Sequence, residues 1–203
     1  MRIAVFGGTG RTGRPLVQEA LERGHEVVAL VRRAEHDLPG EVEVVRGDAR
    51  EAGPVAHVVD GADAVVSVLA IEAGTEATTE LSDATRTIAD AMGDEGVRRL
   101  VVTANSTVFT DREVKDPFRV VAEEHRRNVA MLRGTTLAWT VVAPAMLRDG
   151  EPGELEVVVD AKATGREMSR RCLASTVLDA IDRDAWIGHV LGVADPPSPR
   201  AGA

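Results

Sequence analysis

The sequence predicts an α/β fold in which one doubly wound parallel sheet carries helices on both faces. Short apolar runs of the buried-strand type alternate with helix-like segments along the chain of 203 residues, which implies parallel strands joined by right-handed crossovers. A glycine-rich turn joins the first run to the first helix-like segment. Because no internal repeat or linker interrupts this pattern, we expect one domain over residues 1–195 and a flexible tail at 196–203.

The first half of the chain predicts four strands and two helices. The strand-like runs are RIAVFG, HEVVALV, EVEVVRGD and DAVVSVLA, which are short and largely apolar, as buried parallel strands are. The segment GRPLVQEALERG follows the first run, and its apolar residues share one helical face. Residues 50–60 predict a weaker helix between the third and fourth strands.

The second half predicts further strands and helices. Thr79 suits the start of a helix as a capping residue, with Leu81, Ala84, Ile88 and Met92 facing inward. The run RRLVVTAN predicts the fifth strand, and SRRCLASTVLDAIDR predicts the last helix. The sixth, seventh and last strands are predicted at LAWTVVAPAML, LEVVVDA and WIGHVLGVA.

One more helix is predicted between the fifth and sixth strands. Asp116 and Pro117 form a strong helix-start signal, so we expect the helix to begin there. Its expected apolar face consists of Phe118, Val121, Ala122, His125, Val129 and Leu132.

Composition and charge exclude several classes of function. The formal net charge is −9 and aromatic residues make up 2%. The chain therefore lacks the positive charge and the aromatic side chains on which nucleic-acid binding usually depends. Cys172 is the single cysteine, which excludes an intrachain disulfide and multi-cysteine zinc sites. No apolar run approaches the ~20 residues of a membrane helix. We expect a soluble, cytoplasmic monomer or homodimer with no metal, membrane or nucleic-acid partner.

The glycine-rich turn VFGGTGRTGRP indicates a dinucleotide site. Gly7, Gly10 and Gly13 lie between a strand and a helix, where bare backbone N–H groups at the helix N terminus can receive a pyrophosphate. The side chains of Thr9, Arg11 and Thr12 lie in the same loop and add donors. The alternative is a tight turn that binds no ligand.

The end of the second strand indicates which nicotinamide cofactor is bound. An enzyme selecting NAD usually has an acidic residue there for the ribose 2′-hydroxyl, but this chain has Arg32 and Arg33. Two guanidinium groups can hold a 2′-phosphate, so we predict that NADP(H) is preferred over NAD(H). The alternative is a solvated basic pair, and Glu35 and Asp37 lie close by in the sequence.

Beyond these motifs, the chain resembles the atypical short-chain dehydrogenase/reductases, in particular the NAD(P)H-binding branch of biliverdin/flavin reductases and NmrA-like proteins. The resemblance rests on the stretch VFGGTGRTGRPLVQEALERGHEVVALVR and extends through VRGD, DAVVSVLA and MSRRCLAS. It implies a Rossmann-like fold in which Asp48 borders the adenine. It also implies cofactor contacts at Leu69, Ala70, Asn105 and Pro144.

The chain departs from that family in its chemistry. Many members use a Tyr-x-x-x-Lys pair, but this chain has no tyrosine, which excludes that mechanism and weighs against a nucleotide-sugar epimerase. Cys172 stands where the family usually has Asp. In the reductase branch a histidine tends to follow the proline of the sixth strand, whereas here Ala145 and Met146 follow Pro144.

The resemblance nevertheless suggests candidate catalytic and substrate residues. Ser106 matches a serine near the nicotinamide, where a hydroxyl can donate to a developing anion or relay a proton. His125 matches a histidine on the substrate side and is a second candidate. The alternatives are a loop hydroxyl and a packed core histidine. The expected apolar lining of the substrate pocket is Val108, Phe109, Met146 and Leu147.

Together these features predict an NADPH-dependent oxidoreductase that transfers hydride to a flat conjugated acceptor, such as a flavin, quinone or tetrapyrrole. The protein has to hold this small-molecule electron acceptor over the nicotinamide. The alternative is an NmrA-like protein that binds NADP(H) and reports its redox state without turnover. The missing Tyr-Lys pair is compatible with both.

Overall fold

The computed structural model describes residues 1–74, 76–110 and 113–195, so the predicted tail at 196–203 lies outside the described residues. The helices are α1 (Gly13–Glu22), α2 (Ala52–Val59), α3 (Glu80–Glu95), α4 (Arg119–Leu132) and α5 (Arg170–Ile181). The strands are β1 (Arg2–Phe6), β2 (Glu26–Val31), β3 (Glu43–Arg46), β4 (Ala64–Ser67), β5 (Arg99–Thr103), β6 (Ala138–Pro144), β7 (Met146–Arg148), β8 (Glu156–Val159), β9 (Glu167–Ser169) and β10 (Val190–Ala194).

Eight of the strands form one sheet in the order β3-β2-β1-β4-β5-β6-β10-β8. The pairs from β3 to β10 are parallel, and only the edge strand β8 is antiparallel to its neighbour β10. The strand order reverses direction between β1 and β4, which is the switch point where open α/β sheets bind ligands. The predicted doubly wound parallel sheet is confirmed for the seven strands from β3 to β10, and the edge strand β8 departs from it.

Apolar side chains of alternate strand residues build a core on each face of the sheet. Ile3 and Val5 of β1 point toward the face covered by α1 and α5, whereas Ala4 and Phe6 point toward the face covered by α2, α3 and α4. This explains the unbroken apolar runs in the sequence, because a strand buried on both faces needs no polar positions.

The chain after β6 differs from the sequence prediction. LAWTVVAPAML forms two strands, because the backbone N–H of Ala145 donates to Val193 of β10 and that of Met146 donates to Arg166 instead. The strand β7 then pairs with β9 in a separate two-stranded parallel sheet. The last strand is shorter than predicted, since Trp186 belongs to a 3-10 turn at Asp184–Trp186.

The start of α4 also requires a correction. The helix begins at Arg119, so Phe118 precedes its first turn and is 60% exposed. Val120 takes the buried place that the prediction gave to Phe118, and Val121 is half-buried. Ala122, His125, Val129 and Leu132 are buried as predicted.

The N terminus of α3 is capped from a distance. Leu81, Ala84, Ile88 and Met92 are buried as predicted, but the Thr79 side chain makes no capping hydrogen bond. The carboxylate of Glu124, on α4, accepts from the backbone N–H groups of Leu81 at 2.9 Å and Ser82 at 3.0 Å. This carboxylate therefore fastens α3 to α4.

Candidate functional site

The loop between β1 and α1 is shaped by two glycines that admit no side chain. Gly7 has a φ of +90°, and a Cβ there would lie 2.9 Å from the carbonyl carbon of Val68. A Cβ on Gly13 would lie 2.1 Å from the carbonyl oxygen of Gly7. The first turn of α1 can therefore pack directly against the loop and the end of β4.

A tight turn that binds no ligand would also explain this packing. The loop, however, forms one wall of a cleft as well. The Thr12 side chain makes no capping hydrogen bond to α1, which suits a helix N terminus that accepts an anion. The cleft has a volume of about 530 Å³ and lies at the carboxyl ends of β1, β2 and β4. That volume falls within the usual range of ligand sites, ~300–1,000 Å³.

Ten of the predicted cofactor residues line this one cleft. They come from the glycine-rich loop, the end of β2, the segment after β3 and the segment after β4: Gly7, Thr9, Gly10, Arg11, Thr12, Arg32, Arg33, Asp48, Leu69 and Ala70. Gly13 is buried behind the loop. The donor set and the glycine cradle therefore fit a dinucleotide, with backbone N–H groups at one end and arginines at the other.

Among the described residues, the charged groups near the end of β2 are only partly paired. Asp37 binds Arg14, with its Oδ1 atom 3.0 Å from Nε. Within the described part of the chain, Arg32 and Arg33 have no ion-pair partner, and both are exposed. The acidic residues near them in the sequence therefore leave both guanidinium groups available to an anion.

Asp48 is held by an arginine that the sequence analysis missed. Arg50 donates from Nε to Oδ1 and from Nη2 to Oδ2 of Asp48, both at 2.9 Å. These hydrogen bonds lower the pKa of the Asp48 carboxyl to about 2, so it is ionised throughout the neutral range. Arg50 also lies 3.4 Å from Glu80 at the start of α3 and lines the cleft.

A second missed feature links the glycine-rich loop to the C-terminal part of the fold. Asp149 accepts from Arg11 at 2.6 Å and from Arg170, the first residue of α5, at 2.9 Å. The hydrogen bond from Arg11 is the main cause that lowers the pKa of Asp149. Arg170 and Leu147 line the cofactor cleft. Arg170 stands in the motif MSRRCLAS, which is the one sequence signal that could have pointed to it.

The loop after β5 forms a short 3-10 turn at Ser106–Phe109. The Asn105 side chain accepts from the Thr107 backbone N–H at 3.0 Å, which fixes the start of the turn. Arg126 of α4 donates to the carbonyl oxygens of Thr107 and Thr110. Asn105 and Ser106 are half-buried and lie outside the 530 Å³ cleft, so the predicted contact of Asn105 with the cofactor is untested.

His125 lies on the buried face of α4 and is 6% exposed. Burial lowers its pKa to about 4, so the imidazole is neutral near pH 7. Its Nδ1 atom finds no hydrogen-bond partner in the part of the chain that the structure describes, and the same holds for the side chain of Asn128 one turn later. A neutral imidazole in this setting is a poor proton donor.

The four predicted substrate residues do not share a cleft. Val108 and Phe109 line a second cleft of about 490 Å³ beside α4, together with Arg126, Arg133 and Lys162. Met146 is 78% exposed, while Leu147 lines the cofactor cleft. Pro144 is buried in β6. The structure therefore separates this set, and its role in binding substrate stays a prediction.

Cys172 is buried beside Asp195. Burial is the main cause that raises the pKa of its thiol to about 11, and the nearby Asp195 adds to it, so the thiol is protonated and unreactive at neutral pH. Asp195 is fully buried and accepts from the backbone N–H groups of Gly153 and Ser169. Over residues 1–74, 76–110 and 113–195, no cluster of three or more His, Cys, Asp or Glu side chains is arranged to hold a metal ion.

The sequence pattern of the family described as NAD(P)H-binding matches residues 7–184. The chain belongs to this NAD(P)H-binding family. Its curated relative YwnB, an uncharacterized protein of Bacillus subtilis, is 27% identical over 200 residues, which cover 90% of this chain and 92% of YwnB. The cleft at the switch point therefore lies in a member of an NAD(P)H-binding family, and the assignment of its lining residues to the cofactor stays a prediction.

Solved structures support the same fold for this member of the family. A short-chain dehydrogenase/reductase from Veillonella parvula, solved with NADP, superposes with a TM-score of 0.78 at 18% identity and covers 96% of this chain and 94% of its own. ChuY, an anaerobillin reductase from Escherichia coli O157:H7, superposes with a TM-score of 0.81 at 21% identity over 99% of this chain and all of ChuY (100%). At these identities the likeness concerns the fold alone. Among the described residues, no helix is both long and apolar enough to span a membrane.

Proposed function

We propose that this protein is an NADPH-dependent reductase that transfers hydride to a flat conjugated acceptor, such as a flavin, quinone or tetrapyrrole. The observation that carries the proposal is a single cleft that joins the glycine cradle at Gly7–Gly13 to Arg32 and Arg33, which have no ion-pair partner among the described residues. Backbone N–H groups suit the pyrophosphate, and two guanidinium groups suit a 2′-phosphate. The proposal includes a cytoplasmic location.

The acceptor class is argued from what the chain lacks and from one structural neighbour. The sequence contains no tyrosine, so the chain has no phenol to protonate an alkoxide. A conjugated acceptor does not need a proton donor from the protein, because its π-system spreads the added charge and water can supply the proton. ChuY, which shares the fold, is named a reductase of anaerobillin, and this supports the acceptor class.

In this proposal bound NADPH supplies the hydride, and the chain positions the reactants and handles one proton. Ser106 lies in the turn after β5, at the carboxyl end of the sheet. We assign its hydroxyl to donate a hydrogen bond to the acceptor atom that gains charge, and to relay a proton from water to it. Arg126 and Asn105 hold that turn in place. His125 is buried on α4 and stays neutral.

A sensor without turnover is the second candidate, and one observation favours it. Ser106 lies outside the cofactor cleft, and the buried His125 is neutral. Neither of the two predicted catalytic side chains is therefore placed in the cofactor cleft as a charged proton donor. Such a protein would bind NADP(H) and signal its redox state to a partner.

NADPH oxidation in the presence of FMN or menadione tests the two candidates. We expect saturable turnover with at least one acceptor, and Ser106→Ala should lower kcat about tenfold or more while the NADPH affinity stays within about twofold. Each tenfold loss is worth ~1.4 kcal/mol, a reasonable value for one hydroxyl donor. Ser175→Ala is the matched control, because that hydroxyl donates to Glu19 of α1 and lines neither cleft.

Tight NADPH binding without turnover on any acceptor would overturn the reductase and favour the sensor. Unchanged kcat in Ser106→Ala, with an acceptor that the wild-type protein reduces, would remove Ser106 from the mechanism but leave the reductase standing.

A further inference from the structure

The part of the cofactor cleft beyond the end of β3 has apolar walls but few rings. Ala49, Leu69, Leu81 and Ala84 line it. The whole chain contains three phenylalanines, two tryptophans and no tyrosine. Among the described residues that line the cleft, Phe6 is the one phenylalanine or tryptophan, and it is fully buried in the core. The exposed imidazole of His36 also lines the cleft, on the segment after β2. Among the described residues, no exposed phenylalanine or tryptophan ring lines the cleft for a heterocyclic base to stack on.

Arg50 supplies a planar group at this position. Its guanidinium is fixed by a two-pronged interaction with Asp48 at 2.9 Å for each prong. A third contact, from Nη1 to Glu80 at 3.4 Å, ties it to the start of α3. All N–H bonds of a guanidinium lie in its plane, so these contacts set the orientation of the plane and use none of its faces.

The guanidinium of Arg50 also stays protonated. The carboxylate of Asp48 raises the pKa of Arg50 further above its ordinary value. The Arg50 side chain is still 45% exposed, and it lines the cleft. A fixed, flat cation next to a cleft is suited to the π-face of an aromatic ligand.

We propose that Arg50 is the platform on which the adenine ring of the cofactor stacks, with Asp48 and Glu80 as the residues that orient it. The inference rests on the proposed cofactor cleft, but it is independent of turnover because binding alone reveals it. Arg50 then differs in role from Arg32 and Arg33, which are assigned to the 2′-phosphate. It should act on every ligand that carries adenine, whether or not a 2′-phosphate is present.

Calorimetric titration of ADP, NADH and NADPH into the wild-type protein and two variants tests this role. Arg50→Met keeps the length of the side chain and removes the plane and the charge, whereas Arg50→Lys keeps the charge and removes the plane. We expect both variants to lose about 5- to 10-fold in affinity for all three ligands, so that the ratio of NADPH to NADH affinity is unchanged.

Arg46→Met is the matched control, since Arg46 is an exposed arginine of β3 outside the cleft; it should bind all three ligands like the wild-type protein. Circular dichroism checks that each variant is folded. Unchanged ADP affinity in Arg50→Met would overturn the inference and leave the reductase intact. A loss confined to NADPH would also overturn it and make Arg50 a phosphate ligand. If the wild-type protein bound none of the three ligands, both the inference and the proposed function would fail.

Discussion

At the scale of single residues, His125 shows how burial decides what a side chain can do. The ring is surrounded by the core under α4, and its Nδ1 atom has no hydrogen-bond partner among the described residues. The charged imidazolium would lose its hydration there without gaining a partner, which is why the pKa falls to about 4. Its position in the sequence suggests a proton donor, but these surroundings favour a neutral packing residue.

This pKa has a consequence for stability. In the unfolded chain His125 would titrate near its ordinary value of 6.5, so the unfolded state binds more protons than the folded state between about pH 4 and pH 6.5. Above about pH 6.5 His125 is neutral in both states and does not lower the free energy of unfolding. As the pH drops from about 6.5 to 4, the free energy of unfolding falls.

We expect the free energy of unfolding of the wild-type protein to fall by about 2 kcal/mol more than that of His125→Gln between about pH 7.5 and pH 5. Urea titrations at the two pH values measure this difference. Parallel behaviour of the two proteins would show that His125 titrates normally and would reopen its role as a proton donor.

At the scale of secondary-structure elements, α3 and α4 depend on one buried carboxylate. Glu124 is fully buried and accepts from two backbone N–H groups of α3, while Arg127 of its own helix neutralises it. The α3 residues Leu81 and Ala84 line the cofactor cleft. The capping contact therefore holds one wall of the binding site in place.

Removing this carboxylate should be costly. We expect Glu124→Ala to destabilise the protein by about 3–5 kcal/mol, because it leaves two buried N–H groups without an acceptor. Glu124→Gln retains one acceptor oxygen and should cost less. Glu123→Ala is the control, since that half-buried carboxylate pairs with Arg119 of its own helix. Denaturant unfolding gives all three values, and equal effects of Glu123→Ala and Glu124→Ala would contradict the capping role.

The elements also show why part of the structure could be predicted from the sequence. Apolar runs such as RIAVFG and HEVVALV predict buried strands, because an unbroken apolar run can be recognised from neighbouring residues alone. The structure confirms both strands. The pairing of β7 with β9 was missed, since both strands have three residues and their register depends on distant backbone. The cap of α3 was missed for the same reason, because Glu124 lies more than forty residues from it in sequence.

The site residues that could be predicted from the sequence are likewise those whose role depends on their neighbours in the chain. Gly7 and Gly13 were predictable because the turn that needs them is local. Arg50 and Asp149 were not, since their contacts with Asp48, Glu80, Arg11 and Arg170 form only in the folded chain, and the motif MSRRCLAS was the one local signal for Arg170. The separation of Val108 and Phe109 from Leu147 likewise follows from where α4 and the second cleft lie.

At the scale of the whole molecule, binding of a phosphorylated cofactor depends more on where the charges lie than on the net charge. The protein carries a formal net charge of −9, which would repel a phosphorylated cofactor. The cofactor cleft, however, is lined by six arginines, Arg11, Arg14, Arg32, Arg33, Arg50 and Arg170, against four acidic residues. This local excess of positive charge supports the proposal that a ligand with three phosphates binds in the cleft. Arg32 and Arg33 are the cleft arginines without ion-pair partners among the described residues.

Calorimetric titration of NADPH and NADH into the wild-type protein, Arg32→Ala and Arg33→Ala tests the account most directly. We predict that the wild-type protein binds NADPH at least about tenfold more tightly than NADH. Each substitution should weaken NADPH binding by about 10- to 100-fold, the value of a charge-assisted contact, and leave NADH binding within about twofold. Equal affinity of the wild-type protein for the two cofactors would contradict the assignment of these arginines to the 2′-phosphate.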